Sequence, residues 1–357
     1  MDTNELFKLF NLGFTTLKRN TAVQFYKNFN IDFTYPIALN AKLTNSCNSK
    51  CNMCDVWRKN EKEIPASYWI KALKDLKTII GNYKIGFSGG EVLLKNDVFE
   101  IFEFCNQAKL PFGIITNGAL LNSDKIIRLL ELRPMNISIS LDSLNVDTYQ
   151  KIRGVPFLES VISNIDYLMM YIEKNSLRTK VFFKTVVNSH NLTELHLLAN
   201  YATEKKVAGI TFDPIRRRRK IFLGGKIVEF EKMSNIDMRT LREEKKRLIE
   251  LKRNGSSILN SEKNINQWFE DCYKNDEYFC DAPLTRIHII NEGQIKLCDF
   301  TESSVGNIMT DDIREIFKSE KLKIEKKTLT HCKNPCVYCI HRSLFDYLKI
   351  FNSYIKN

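Results

Sequence analysis

Cys47, Cys51 and Cys54 stand at a Cys-x3-Cys-x2-Cys spacing within eight residues. Three thiolates so placed can hold three irons of a [4Fe–4S] cube and leave the fourth open to chelate a substrate or cofactor. A structural zinc site asks for a fourth protein ligand, and the next cysteine, Cys105, lies inside a helical pattern. A second group comprises Cys280, Cys298, Cys332, Cys336 and Cys339. Asn291-Glu292-Gly293 between the first two of these is a hairpin signal that draws Cys280 and Cys298 towards each other. If this group held zinc instead, His331 and His341 would be spare ligands. Cys105 and Cys272 read as packing residues or free thiols.

The elements that must position these groups follow from the periodicity. Apolar or β-rich runs at 39–44, 83–87, 112–116, 136–141, 179–187 and 208–213 predict strands. Helical patterns lie between them, near 66–80, 97–109, 122–132, 158–174 and 191–205. Such alternation implies βαβ units and a parallel sheet. With right-handed crossovers it becomes a partial (β/α)6 barrel of TIM-like kind. Chemistry in such barrels sits at the carboxyl ends of the strands. The first strand runs into the Cys47 loop, and the second ends in Ser88-Gly89-Gly90-Glu91. The third ends in Thr116-Asn117-Gly118, and the fourth carries Ser140 and Asp142.

Five segments are expected. Residues 1–35 form a helical lead-in with Leu6, Phe10, Phe14 and Leu17 on one stripe, packed on its own domain or laid on a membrane surface. Residues 36–215 form the barrel. Residues 216–274 form a linker with a solvated helix, beginning with the cationic run Arg216 to Lys220. Residues 275–340 form a small α+β module with strands at 286–290 and 294–298 and a helix near 311–318. Residues 341–357 form a helix with Leu344, Leu348, Phe351 and Ile355 on one face.

The chain has 357 residues, 43% of them hydrophobic and 27% charged, which is globular usage and excludes bulk disorder. No run of eighteen apolar residues occurs, so a spanning helix is not expected. The first residues lack a secretory pattern, and clustered cysteines then read as metal or cluster ligands in a reducing cytoplasm. Fifty-four basic against 42 acidic residues give a net charge of +12, which favours an anionic partner.

The cysteine loop after a first strand, followed by Gly-Gly-Glu after the second, resembles the radical S-adenosylmethionine (radical SAM) superfamily. Supporting matches run in order: Thr44-Asn45-Ser46-Cys47, Phe87 to Glu91, Thr116-Asn117-Gly118, Ser140-Leu141-Asp142-Ser143 and Ile152-Arg153-Gly154. The resemblance covers about residues 36–215. It implies that Cys47, Cys51 and Cys54 ligate a [4Fe–4S] cluster whose open iron binds S-adenosylmethionine (SAM). It implies that Gly89, Gly90 and Glu91 hold the SAM amino group, and that Ser88, Asn117, Ser140 and Arg153 are further SAM contacts. No catalytic residue beyond that site is assigned. The reduced cluster would cleave SAM to methionine and a 5′-deoxyadenosyl radical, which abstracts hydrogen from the substrate. Met53 stands where the family commonly has an aromatic residue.

The second cysteine group resembles the SPASM/Twitch extensions of that superfamily, which carry auxiliary [4Fe–4S] clusters. The full SPASM pattern has seven cysteines, and the five here imply one auxiliary cluster. Cys280, Cys298, Cys336 and Cys339 make a pair-plus-CxxC set; Cys332 replaces Cys336 or stands beside the cluster as a thiol. The expected activity is therefore oxidoreductase or maturase chemistry on a small molecule or a peptide. A low-potential donor such as flavodoxin or ferredoxin would supply electrons. RNA modification is the runner-up, supported by charge and by no recognisable RNA-binding module. A zinc-holding scaffold without enzymatic activity is the third reading.

Overall fold

The computed structural model describes residues 17–59, 63–215, 235–269 and 279–332. Six strands run parallel in chain order: β1 (Ala38–Lys42), β2 (Lys84–Ser88), β3 (Phe112–Thr116), β4 (Asn136–Ser140), β5 (Lys180–Val187) and β6 (Gly209–Pro214). A helix at residues 17–29, α1, precedes them. The crossovers carry α2 (Ala66–Ile80), α3 (Val98–Gln107), α4 (Ser123–Glu131), α5 (Val146–Arg153), α6 (Leu158–Lys174) and α7 (Leu195–Glu204). The strands and long helices fall within a few residues of the expected ranges. The short helix α5 was not expected, because its polar sequence shows no apolar stripe; Asn145 starts it by accepting the Thr148 N–H at 3.0 Å.

A parallel sheet covered by helices on both faces reads as continuous apolar strands. Here burial alternates instead, most regularly along β5. One face carries Leu39, Ile85, Phe87, Ile137, Ile139, Phe183 and Phe212, all buried in the main core under the helices. Phe87, Phe102 and Phe112 lock α3 onto this face, with Phe102 and Phe112 stacked at 5.2 Å. The other face carries half-buried residues, many of them polar. This is the pattern of a partial barrel, with a packed exterior and a polar interior.

The C-terminal elements are α8 (Met238–Arg253), α9 (Glu262–Asn266), α10 (Ala282–Thr285), β7 (Arg286–Ile289), β8 (Gln294–Lys296), β9 (Gly306–Asn307), α11 (Ile313–Lys318) and α12 (Glu320–Thr330). The expected hairpin is present, but it continues the main sheet. β7 pairs parallel to β1, with Leu39 opposite Ile287, and β8 and β9 follow antiparallel. The sheet therefore has nine strands in the order β6-β5-β4-β3-β2-β1-β7-β8-β9. At its other end, Leu259 N–H donates to Ile210 O at 2.9 Å and the Asn260 amide to Phe212 O at 2.8 Å, covering an edge that would otherwise be open.

Two expectations need correction. The charged helix α8 is not merely solvated: Leu241, Glu244, Lys245 and Leu248 are buried. Glu244 accepts from the His196 backbone N–H at 2.7 Å, and Lys245 donates to Trp268 O at 2.9 Å, so the buried charges are partnered. In the lead-in, Leu17 is 61% exposed, and α1 docks instead through Ala22, Val23 and Tyr26, the latter two packing with Leu284. Leu6, Phe10 and Phe14, the Arg216–Lys220 run and the 341–357 stripe lie outside the described residues. No helix among the described residues is long and apolar enough to cross a membrane.

Candidate active site

The cysteine loop leaves the carboxyl end of β1 and is tied down on two sides. On one side it meets α5: Lys50 N–H donates to Arg153 O and Asn52 N–H to Ile152 O, each at 3.0 Å. Gly154 ends α5 in the left-handed region, at φ 69°. A Cβ there would also lie 2.9 Å from the Lys50 carbonyl carbon, so only glycine permits this approach. On the other side the loop meets the turn after β2. Gly90 N–H donates to Thr44 O at 2.7 Å and Glu91 N–H to Ser46 O at 2.8 Å. A Cβ on Gly90 would stand 2.7 Å from Asn45 O, closer than real Cβ atoms come.

Within the loop, Cys47 is half-buried, Cys51 buried and Cys54 exposed. Ser49 N–H donates to Cys47 Sγ at 3.4 Å, and Cys54 N–H donates to Cys51 O at 3.1 Å. Burial pushes the Cys47 thiol up to about 11; the Ser49 N–H opposes this, while Cys51, Glu91 and Cys54 add to it. Burial likewise raises Cys51, against the pull of the Arg153 guanidinium. Among the described residues no three His, Cys, Asp or Glu side chains are gathered closely enough for one metal ion. The donor set nevertheless fits an iron–sulfur cluster: three soft thiols stand on one braced loop, Cys51 and Cys54 add to the rise of the Cys47 pKa, and a cationic group among them would relieve that repulsion. A cluster taking one thiolate per iron spreads its ligands more widely than a single ion does.

Glu91, Asn117 and Arg153, expected as direct cofactor contacts, are all buried and engaged with protein. Glu91 accepts from Thr116 Oγ1 at 2.8 Å and from the Asn117 and Leu93 N–H groups at 2.7 and 3.2 Å. It binds the ends of β2 and β3 together; burial raises its pKa against these three donors. The Asn117 amide donates to Asn48 Oδ1 at 2.6 Å and Ser49 Oγ at 3.1 Å, bracing the cysteine loop from β3. Arg153 Nε lies 2.7 Å from Asp142 Oδ2, and its Nη1 lies 3.8 Å from Cys51 Sγ. Although burial opposes it, the Asp142 carboxylate raises the Arg153 pKa, so the guanidinium stays charged. Ser88, Gly89, Gly90 and Ser140 are half-buried at the strand ends, and Met53 packs with Ile152 and Ile215.

Sequence reasoning left two supports unassigned. Asp142 was visible in its motif but had no role. Lys95 is buried, donates to Ile64 O at 2.8 Å, and pairs with Asp97 at 2.7 Å and Glu63 at 3.7 Å. Glu63 in turn accepts from Thr44 Oγ1 and Ser46 Oγ, so a buried cation anchors the start of the cysteine loop. Asp97 is near Lys95 in sequence, but no local pattern marks the lysine as a brace, because Ile64 and Glu63, which tie it to the cysteine loop, are distant along the chain.

Three of the second cysteine group, Cys280, Cys298 and Cys332, lie among the described residues, and they form no group close enough for one metal ion. Cys280 is buried, two residues before α10, and its N–H donates to Thr330 O at 2.9 Å. Cys332 is half-buried two residues beyond that carbonyl, and half-buried Cys298 follows β8, which runs back towards the same end. Cys336 and Cys339 lie outside the described residues.

Residues 42–195 match the family described as the Radical SAM superfamily. The chain is 31% identical over 202 residues to the uncharacterized protein MJ0907 of Methanocaldococcus jannaschii, covering 54% of this chain and 68% of that one. It is 24% identical over 302 residues to GTP 3′,8-cyclase of Clostridium perfringens, covering 78% of this chain and 88% of the cyclase. Among solved structures, Streptococcus suis SuiB bound to precursor peptide SuiA superposes with a TM-score of 0.66 at 16% identity, covering 89% of this chain and 76% of SuiB. AnSMEcpe with AdoMet and the Cp18Cys peptide gives a TM-score of 0.62 at 18% identity, covering 90% of this chain and 96% of that one.

Proposed function

The chain belongs to the radical SAM superfamily, and from that premise we propose that it abstracts hydrogen from a small-molecule or peptide substrate, with a second iron–sulfur cluster taking part in oxidation or electron transfer. The observation that carries this reading is the braced cysteine loop, clamped between the Gly-Gly-Glu turn and α5 with Arg153 beside Cys51. Cys47, Cys51 and Cys54 hold a [4Fe–4S] cluster. When bound and reduced, that cluster supplies the electron that cleaves SAM and so delivers the radical that attacks the substrate.

The chain's own residues do the positioning. Ser88, Gly89, Gly90 and Ser140 face the SAM side of the rim. Glu91 and Asn117 fix the loops that present SAM's groups, and Arg153 adds positive charge beside the cluster. Residues 36–215 form the core that does this. Residues 275–340 hold the auxiliary cluster through cysteines drawn from Cys280, Cys298, Cys332, Cys336 and Cys339, and a flavodoxin or ferredoxin supplies electrons. The likeness to GTP 3′,8-cyclase over most of both chains supports a small-molecule substrate, while the peptide complexes of the structural neighbours support the fold alone.

The test is anaerobic reconstitution with iron and sulfide counted per chain, then dithionite and SAM with detection of 5′-deoxyadenosine. About eight irons with cleavage supports both clusters. About four irons with cleavage removes the auxiliary cluster from the reading. Cys51→Ala is expected to abolish cleavage; retained cleavage in that variant, or zinc alone without cleavage in the wild type, overturns the proposal.

A further inference from the structure

The cysteine loop is open to solvent at one end. Cys54 is its exposed cysteine, whereas Cys51 is buried and Cys47 half-buried. Three exposed cations border that end. Lys50 lies between the first two cysteines and Lys151 on α5, and the backbone holds them close: Lys50 N–H donates to Arg153 O at 3.0 Å, and the Asn52 side-chain amide donates to Lys151 O at 2.6 Å. Arg58 ends a short helical turn, Val56–Arg58, that follows Cys54. Its guanidinium lies 4.6 Å from the centre of the Trp57 ring, and Trp57 Nε1–H donates to Cys54 O at 2.8 Å. The stacked pair is thus fastened to the exposed cysteine, and stacking on an aromatic face leaves the charge of Arg58 uncancelled. Among the described residues, none of Lys50, Arg58 and Lys151 makes an ion pair with a carboxylate. Lys59, also exposed, has a partner of its own. The helices before Cys332 differ: on α11 and α12, Lys318 pairs with Glu315 at 3.0 Å and Lys323 with Glu320 at 3.2 Å.

We propose that this cationic collar is where an acidic one-electron carrier docks to reduce the cluster held by Cys47, Cys51 and Cys54. The inference rests on the reading of those cysteines as cluster ligands and names the surface that the electron donor uses. An electron has to enter where the cluster comes closest to the surface, and Cys54 is the exposed member of the set. One electron passes from the reduced carrier to the oxidised cluster; the carrier is left oxidised by one electron, and no bond forms or breaks. Electron-transfer encounters are weak and bury less than about 1,200 Å² in total, so a few charges around one loop suffice. Such charges act mainly on the rate of encounter, because a patch of one sign steers a partner of the other sign into the right orientation. The net charge of +12 draws an acidic protein to the whole surface, and the unpaired collar directs that attraction to the redox centre.

The experiment uses the full, anaerobically reconstituted chain, with iron counted per chain, and an acidic bacterial flavodoxin as the probe. Biolayer interferometry reads flavodoxin binding, and stopped-flow absorbance reads cluster reduction by the flavodoxin hydroquinone. The collar variant, Lys50→Gln with Arg58→Gln and Lys151→Gln, is expected to weaken binding and slow reduction about tenfold at about 0.01 M salt, where the Debye length is about 30 Å. At about 1 M salt, where that length is about 3 Å, the difference should shrink to less than about twofold. Lys321→Gln with Lys323→Gln and Lys327→Gln removes the same net charge from exposed positions on α12 and is expected to change either quantity less than about twofold. The methyl viologen radical, a small cationic reductant, is expected to reduce the collar variant no more slowly than the wild type. Equal losses in the two variants, a greater loss in the α12 variant, or no loss in the collar variant would overturn the proposal. So would a loss that persists at high salt or extends to methyl viologen, which would mean a damaged loop. The two readings fail separately: a cluster that methyl viologen reduces, with flavodoxin indifferent to the collar, sinks only this inference, and collar-dependent flavodoxin binding with no reducible cluster sinks only the cluster assignment.

Discussion

Arg153→Met should destabilise the folded chain far beyond an ordinary surface change. Asp142 is fully buried and the Arg153 side chain is 8% exposed, with their charged atoms 2.7 Å apart. At an effective dielectric constant of about 20, that separation corresponds to a gross attraction of about 6 kcal/mol, most of it offset by the desolvation of both ions. Removing only the cation leaves the desolvation of Asp142 uncompensated. Its remaining contact through the side chain is the Val186 N–H at 2.7 Å. A loss of about 3–5 kcal/mol follows. Asp142→Asn in the Arg153→Met background removes the stranded charge, so the double variant should recover about 2 kcal/mol or more relative to the sum of the single changes. Urea unfolding of the iron-free chain under reducing, anaerobic conditions reads both quantities. A loss below about 1 kcal/mol for Arg153→Met, or additive single variants, would refute the reasoning that this ion pair is a coupled structural unit. Because Arg153 also lies against Cys51, the Met variant should incorporate iron more slowly, its Cys51 thiol having lost the guanidinium that lowers its pKa.

Gly90→Ala places a methyl group against the Asn45 and Ser46 carbonyls and should cost about 1–3 kcal/mol while lowering the iron held per chain; unchanged iron content would show that the loop has room to shift. Burial, partly countered by Asp299, pushes His288 down to about 4. Below pH of about 6.5 the unfolded chain takes up a proton that the folded chain refuses, so stability falls as pH drops from about 6.5 towards 4, by about 3 kcal/mol in full. His288→Gln should flatten that part of the stability–pH curve, and an unchanged slope would remove His288 as its source. Cys298→Ala should leave 5′-deoxyadenosine formation intact while blocking product formation and lowering the iron count by about four.

The barrel was legible because its determinants are local. Six strands and five helices emerge from apolar periodicity, and the polar rim follows once chemistry is placed at the strand ends. The cysteine spacing carries its own meaning, since three thiols on one short loop stay neighbours whatever the rest of the chain does. Local patterns failed where a partner lies far along the chain. Nothing around Arg286–Ile289 announces that it pairs with β1, some 250 residues earlier, because register depends on which edge of the sheet remains open. Helix α5 was missed because a short polar helix is stabilised by its caps and its contacts with the cysteine loop, not by an apolar stripe.

The site divides in the same way. Residue types near Cys47, Gly90 and Arg153 followed from sequence motifs; their uses were set by tertiary contacts. Glu91 faces inward because Thr116, Asn117 and Leu93 offer it three donors in a space closed to water. Arg153 turns to Asp142 and Cys51 because the strand end and the loop meet only in the folded chain. The sequence by itself determined which residues could hold a cluster and on which rim. Only the tertiary structure decided which side chains face that rim and which brace it, because a charge can be buried only where its distant partners have already been assembled.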